Sequence, residues 1–180
     1  MTLKPAWKLV AGVGALVVAL GVWNCASVSH PVASRLSEDP RNAKVSVWAY
    51  HQYGFVPSVL VVDLRRVDDQ AAAADVLRVL FQSAEGLKDA KFERVVLAYR
   101  GSAKLMMDGA YFRKVGQEFK SQNPIYTMRT LPENIHKLDG SAAYGSWTGG
   151  LLGALGKQME DLGKFSEDWY LRDLAQEARR

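Results

Sequence analysis

At 180 residues the chain is long enough for one domain with a sizeable core, and 48% apolar with 23% charged residues excludes a disordered bulk. The net charge of +4 is no nucleic-acid footprint. Lys4 and Lys8 precede an apolar run, no acid occurs before Glu38, and no basic stripe with interleaved aromatics is present, so nucleic acid is not an expected partner.

Leu9 to Trp23 carries no charge and follows a short basic leader, which predicts a signal anchor or signal peptide over residues 1–26. Trp7 and Trp23 flank the run as interfacial aromatics do, and Lys8 can snorkel, which favours an uncleaved anchor. With the basic end inside, the domain is expected outside the cytoplasm, on the periplasmic side of a bacterial inner membrane. Cys25 is the single cysteine, so no intrachain disulfide can form. Its place directly after an apolar signal resembles the lipid-modified first residue of a bacterial lipoprotein, which implies lipidation at Cys25. Trp23-Asn24 departs from the small residues that such a cleavage site prefers.

Residues 27–43 are polar, contain Pro31 and Pro40 and lack either hydrophobic period, so they are expected to be a linker. Residues 44–180 are expected to form a single extracytoplasmic domain. Val45, Val47, Ala49 and His51 alternate with Ser46, Trp48 and Tyr50, a strand with Trp48 and Tyr50 on one face. Tyr53-Gly54-Phe55 offers a turn, and Val59 to Val62 is an uninterrupted apolar strand closed by Asp63, Arg65 and Arg66. Ala73, Leu77, Leu80, Phe81 and Ala84 form a helical stripe, with Asp68-Asp69 before it and Gly86 as its stop.

Val95 to Ala98 is a third apolar run. A turn at Arg100-Gly101-Ser102, a return strand over Lys104 to Met107 and a helix capped by Asp108 follow, the helix carrying Tyr111, Phe112, Val115 and Phe119. The helical crossover sets the second and third strands parallel. The expected fold is therefore α+β: a four-stranded mixed sheet in the order 1-2-3-4, a ββαββα core with additional C-terminal helices, behind the membrane segment. Both central strands are apolar on both faces, so the C-terminal helices are expected to cover the second face.

Asn123-Pro124 blocks helix continuation, and Ile125 to Arg129 is expected to add a short strand. Thr130-Leu131-Pro132-Glu133 has capping-box spacing, which predicts a short helix through Leu138. On a helix over Tyr144 to Lys157, Gly149, Gly153 and Gly156 share one face, a pattern of close approach by the sheet, a partner helix or the membrane. The last helix is expected to begin at Ser166 and to bury Leu171, Leu174, Ala175 and Ala178.

The chemistry is mostly one of absences. His30, His51 and His136 are dispersed, with no HxxxH or HExxH spacing, so neither a metal nor a cofactor is expected. Gly156-Lys157 is no phosphate loop, because Leu151 stands where the first glycine belongs and Gln158 replaces the Ser or Thr. Ser102 lies outside any Gly-x-Ser-x-Gly elbow, and sequence supplies no geometry for a His51, Asp63 and Ser102 triad. Arg100, Lys104 and Arg113 with Tyr111 form a candidate anion-accepting patch beside a helix N-terminus. The reading that remains is a membrane-tethered interaction or assembly protein of a bacterial-type envelope. It would dock a protein partner through Trp147, Gly149, Gly153 and Gly156, or through Trp48 and Tyr50. The alternative is a small envelope hydrolase using Ser102 or His51.

Overall fold

The computed structural model describes residues 6–121, 123–146 and 151–179. Helix α1 (Ala6–Asn24) runs through a π-helical turn (Cys25–Ser29) into α2 (His30–Ser37). Within this continuous rod, Val10–Ser37 is long and apolar enough to cross a bilayer. Residues 27–43, expected as a linker, are folded against the domain instead. Val28, Val32 and Leu36 recur at a spacing of four, a helical stripe that the polar composition hides; Val28 and Val32 are buried and Leu36 packs against the same core. Pro31, which has no backbone N–H to donate, falls directly after the π-helical turn, in the first turn of α2.

The strands are β1 (Val45–Gln52), β2 (Val56–Val67), β3 (Arg94–Tyr99), β4 (Ser102–Asp108) and β5 (Ile135–His136). They form one sheet in the order β1-β2-β3-β4-β5, parallel between β2 and β3 and antiparallel elsewhere. The α+β class and the order of the first four strands are as expected, with β5 added at the edge. Crossover helix α3 (Ala73–Gly86) ends at its glycine, and the Asp75 carboxylate accepts from Ala72 N at 2.9 Å to close its first turn.

Helix α2 packs along α3, where the Arg35 guanidinium pairs with Glu85 and the Asn42 amide donates to Gln82. Helix α4 (Gly109–Glu118) packs on α3 through Gly116, and its first residue, Gly109, abuts the segment that leads into β3. A β-carbon on Gly116 would overlap the Ala84 carbonyl oxygen, and one on Gly109 would overlap that of Phe92. Asp108 precedes α4 but makes no side-chain cap bond.

Three local expectations are corrected. Ile125 to Arg129 is not a strand: Asn123 accepts from Ile125 N at 3.0 Å and Pro124 opens helix α5 (Pro124–Thr130). Thr130 starts no helix, because its hydroxyl donates back to Tyr126 O at 3.1 Å and it closes α5. After one 3-10 turn (Pro132–Asn134), buried Ile135 pairs with Met107 in β5. Finally, α6 (Leu151–Ser166) does not stop at Ser166, whose hydroxyl donates to Leu162 O within the helix. A π-helical turn (Glu167–Leu171) carries it into α7 (Arg172–Glu177). That wider turn rotates the apolar stripe, so Phe165, Trp169 and Tyr170 are buried whereas Leu171, Ala175 and Ala178 are exposed.

Alternation divides the sheet into two unequal faces. Leu60, Val62 and Leu64 of β2 and Val95, Leu97 and Tyr99 of β3 join the main core with α2, α3 and α4. The C-terminal helices, expected over the other face, add Phe165, Trp169 and Tyr170 to this same cluster, and Trp169 Nε1 donates to Ala98 O at 3.0 Å. On the opposite face Val59, Val61, Val96 and Ala98 cluster with Tyr50 and Val56, among the described residues strand residues alone.

Candidate docking face

This second face continues onto β1, where Trp48 stands opposite Asp63 and Tyr50 opposite Val61. Asp63 is a carboxylate set between Val62 and Leu64 and only 1% exposed, so it needs donors. It has them: Gly101 N donates to Oδ1 at 3.0 Å and Arg65 Nη1 to Oδ2 at 2.9 Å. The Tyr50 hydroxyl stands 3.5 Å from Oδ2. The turn that presents Gly101 N has Arg100 and Gly101 at φ 48° and 83°, a left-handed pair that glycine adopts freely. Asp63 thereby fastens the β3–β4 turn to β2.

Arg65, held by Asp63, places its guanidinium carbon 4.5 Å from the centre of the Trp48 ring. Trp48 nevertheless remains 59% exposed, an indole oriented by a cation and left open to solvent. Burial, with Asp63 beside it, pushes the Tyr50 phenol above its ordinary pKa, so it stays a neutral donor. Beside these side chains lies a cavity of about 580 Å³ lined by Ser29, Ala33, Val47, Trp48, Tyr50 and Arg65, among others. Its volume is that of a ligand- or side-chain-sized pocket. Ser29 fixes the cavity rim by donating to Ala49 O at 2.7 Å. The arrangement can hold an apolar or aromatic group and offer it polar edges.

The other candidate residues are dispersed. His51 faces the main core, stacked on Trp23 at 4.1 Å and within 3.0 Å of Ser27 Oγ, whereas Asp63 faces the other way. Ser102 pairs with Tyr99 at the far end of the sheet from His51. The three residues of the imagined triad therefore share no site. Arg100 and Lys104 are paired with Glu177 and Asp173 of α7. Tyr111 instead lines a cleft with Tyr126, Thr127 and Thr130, and Arg113 is half-buried on α4. The four do not form one patch.

A β-carbon at Gly153 or Gly156 would meet nothing within 4 Å, so the expected packing of these glycines on the sheet does not occur. Trp147 and Gly149 lie outside the described residues. Cys25 is exposed at the start of the π-helical turn. Among the described residues no group of three or more His, Cys, Asp or Glu side chains converges on a metal-sized site.

The sequence singles out Trp48 and Tyr50, whereas Asp63 and Arg65 stand out there only as the close of an apolar strand. The signal was present: an aspartate flanked by Val62 and Leu64 in an apolar run is a buried charge in want of a partner. No family model, curated protein or solved structure matches the chain.

Proposed function

We propose that the protein is an anchored, extracytoplasmic interaction protein of a bacterial-type cell envelope, docking a protein partner on the sheet face that carries Trp48 and Tyr50. The observation that carries this reading is the second face itself: a cluster built from strand residues alone, bordered by an indole that Arg65 orients and solvent reaches. An exposed tryptophan with a half-buried tyrosine beside a cavity offers the residue types that dominate binding energy at interfaces.

Retention of α1 as a membrane anchor, with the domain in the periplasm, is supported by the use the fold makes of its last residues. Trp23 stacks on His51, and Asn24 accepts from His51 N at 2.8 Å. Cleavage before Cys25, as lipidation would require, removes both. The test is photo-crosslinking in membranes, with a benzophenone amino acid at position 48, 50 or 126 of the full chain. Discrete adducts at 48 and 50 but not at exposed Tyr126 are expected; no adducts at 48 and 50, or the same adducts at all three positions, would overturn the assignment.

A further inference from the structure

The tip of the β1–β2 hairpin lies beside the last turn of the apolar helix. Asn24 Nδ2 donates both to Leu20 O in α1, at 3.1 Å, and to Gly54 O at the tip. Leu20 is half-buried there, whereas residues 10–19 of the same helix are exposed throughout. The tip thus reaches down to the level of the apolar run.

Its composition is unlike that of a solvated turn. Tyr53 and Phe55 are 76% and 59% exposed, their ring centres 6.3 Å apart, with Trp23 on the adjoining helix. Three backbone groups of the tip are bonded within the protein: Gly54 N donates to His51 O at 2.8 Å, Phe55 N to Gln52 O at 3.3 Å, and Gly54 O accepts from Asn24. Internal satisfaction is what entry into a lipid environment demands of a peptide backbone. The positive φ of Tyr53 (55°) and Gly54 (81°) makes the tight turn that splays both rings outward.

We infer that this hairpin tip is a second membrane contact, with Tyr53 and Phe55 seated in the headgroup and upper acyl region of the bilayer that α1 spans. The inference rests on the reading of α1 as a retained anchor. The 19 residues of α1 span about 28 Å, close to the ~30 Å thickness of a hydrocarbon core, so its C-terminal end and the tip beside it fall at the membrane interface. Tyr53 and Trp23 have the apolar body and polar edge that settle at that depth, and Phe55 beside them offers a wholly apolar ring to the acyl side. The occupant is the lipid surface itself, because the tip is continuous with the segment that enters it.

The test uses the full chain with Cys25→Ser and one new cysteine, Phe55→Cys or, as control, Tyr126→Cys. Each is labelled with an environment-sensitive fluorophore and reconstituted into phosphatidylethanolamine–phosphatidylglycerol vesicles containing lipids spin-labelled near the headgroup. The label at 55 should be blue-shifted and quenched by these lipids several-fold more than the label at 126, while being shielded from aqueous iodide. Equal quenching at both positions overturns the inference, as does a label shielded from iodide but untouched by the spin-labelled lipids, which would mean coverage by protein. If the chain is extracted by alkaline carbonate, the anchor reading fails and the inference falls with it. If the chain resists extraction while the label at 55 stays aqueous, the inference alone fails.

Discussion

Gly116 of α4 lies against the carbonyl oxygen of Ala84 in α3, with no room between them for a methyl group. The substitution Gly116→Ala gains helix propensity of about 1 kcal/mol, yet it forces two backbones apart at an overpacking cost of roughly 1–3 kcal/mol. The variant should melt below the wild type. Gly153→Ala, where nothing lies within 4 Å, should melt at or slightly above it. Thermal unfolding of the two variants in detergent checks the contrast, and the reverse order would remove the close contact between α3 and α4.

Leu97 and Val96 point to opposite faces of β3, and the two faces should respond differently to a charge. Leu97 belongs to the main core and is completely buried, so Leu97→Asp leaves an unpaired carboxylate there and should cost several kcal/mol. Val96, 8% exposed within the strand-only cluster, allows an aspartate to turn toward solvent, so Val96→Asp should cost less. Urea denaturation midpoints measure both. Wild-type midpoints for the two variants would mean that β3 is not buried on either side.

Glu85 ties α3 to α2. Burial alone would raise its pKa, but Lys120, with its Nζ at 2.9 Å, and the Arg35 guanidinium outweigh that and hold the carboxyl below its usual range. An unfolded glutamate titrates near pH ~4.3. The folded pKa is lower, so the unfolded chain binds the proton first. The stabilisation is fully present above the unfolded value and is lost as pH falls through the folded one. Glu85→Gln should therefore lower the melting temperature at neutral pH and flatten the decline of stability in acid. A variant whose acid decline parallels the wild type would show that the pair contributes nothing.

The orientation of the chain is open to a direct measurement. A reporter active only outside the cytoplasm, fused after the last residue, should be active, and the fusion should sediment with membranes and resist carbonate. An inactive reporter on a stable fusion would place the domain in the cytoplasm.

The order of the first four strands was legible because each central strand announces itself as an apolar run, and a helix between the second and third leaves one sensible pairing. The stretch from Ser27 to Ala43 was not, because three apolar residues spaced four apart are easily lost among serines and prolines. The face that Phe165 and Trp169 bury was hidden by a π-helical turn, which shifts the helical phase without leaving a mark in composition. The glycines tell the same story. Gly149, Gly153 and Gly156 drew notice as a cluster, whereas the close contacts fall at Gly109 and Gly116, single glycines whose role depends on what α3 and Phe92 bring to them. Trp48 and Tyr50 were visible from alternation alone, but their setting depends on a long-range bond from Gly101 to Asp63, to which no local pattern points.

The unbroken passage from α1 into α2 removes the slack that a flexible tether would have given. Seventeen disordered residues would have let the domain wander by about 23 Å from its point of attachment. With Val28 and Val32 clamped in the core, the domain instead turns with α1. Trp48 lies in β1 five residues before Tyr53, about 16 Å of extended chain from the hairpin tip. If α1 is retained in a bilayer, as proposed, encounters with the Trp48 face become a matter of lateral diffusion in the plane of the membrane and of spin about its normal. On that proposal, a partner would meet a site whose orientation relative to α1 has already been fixed.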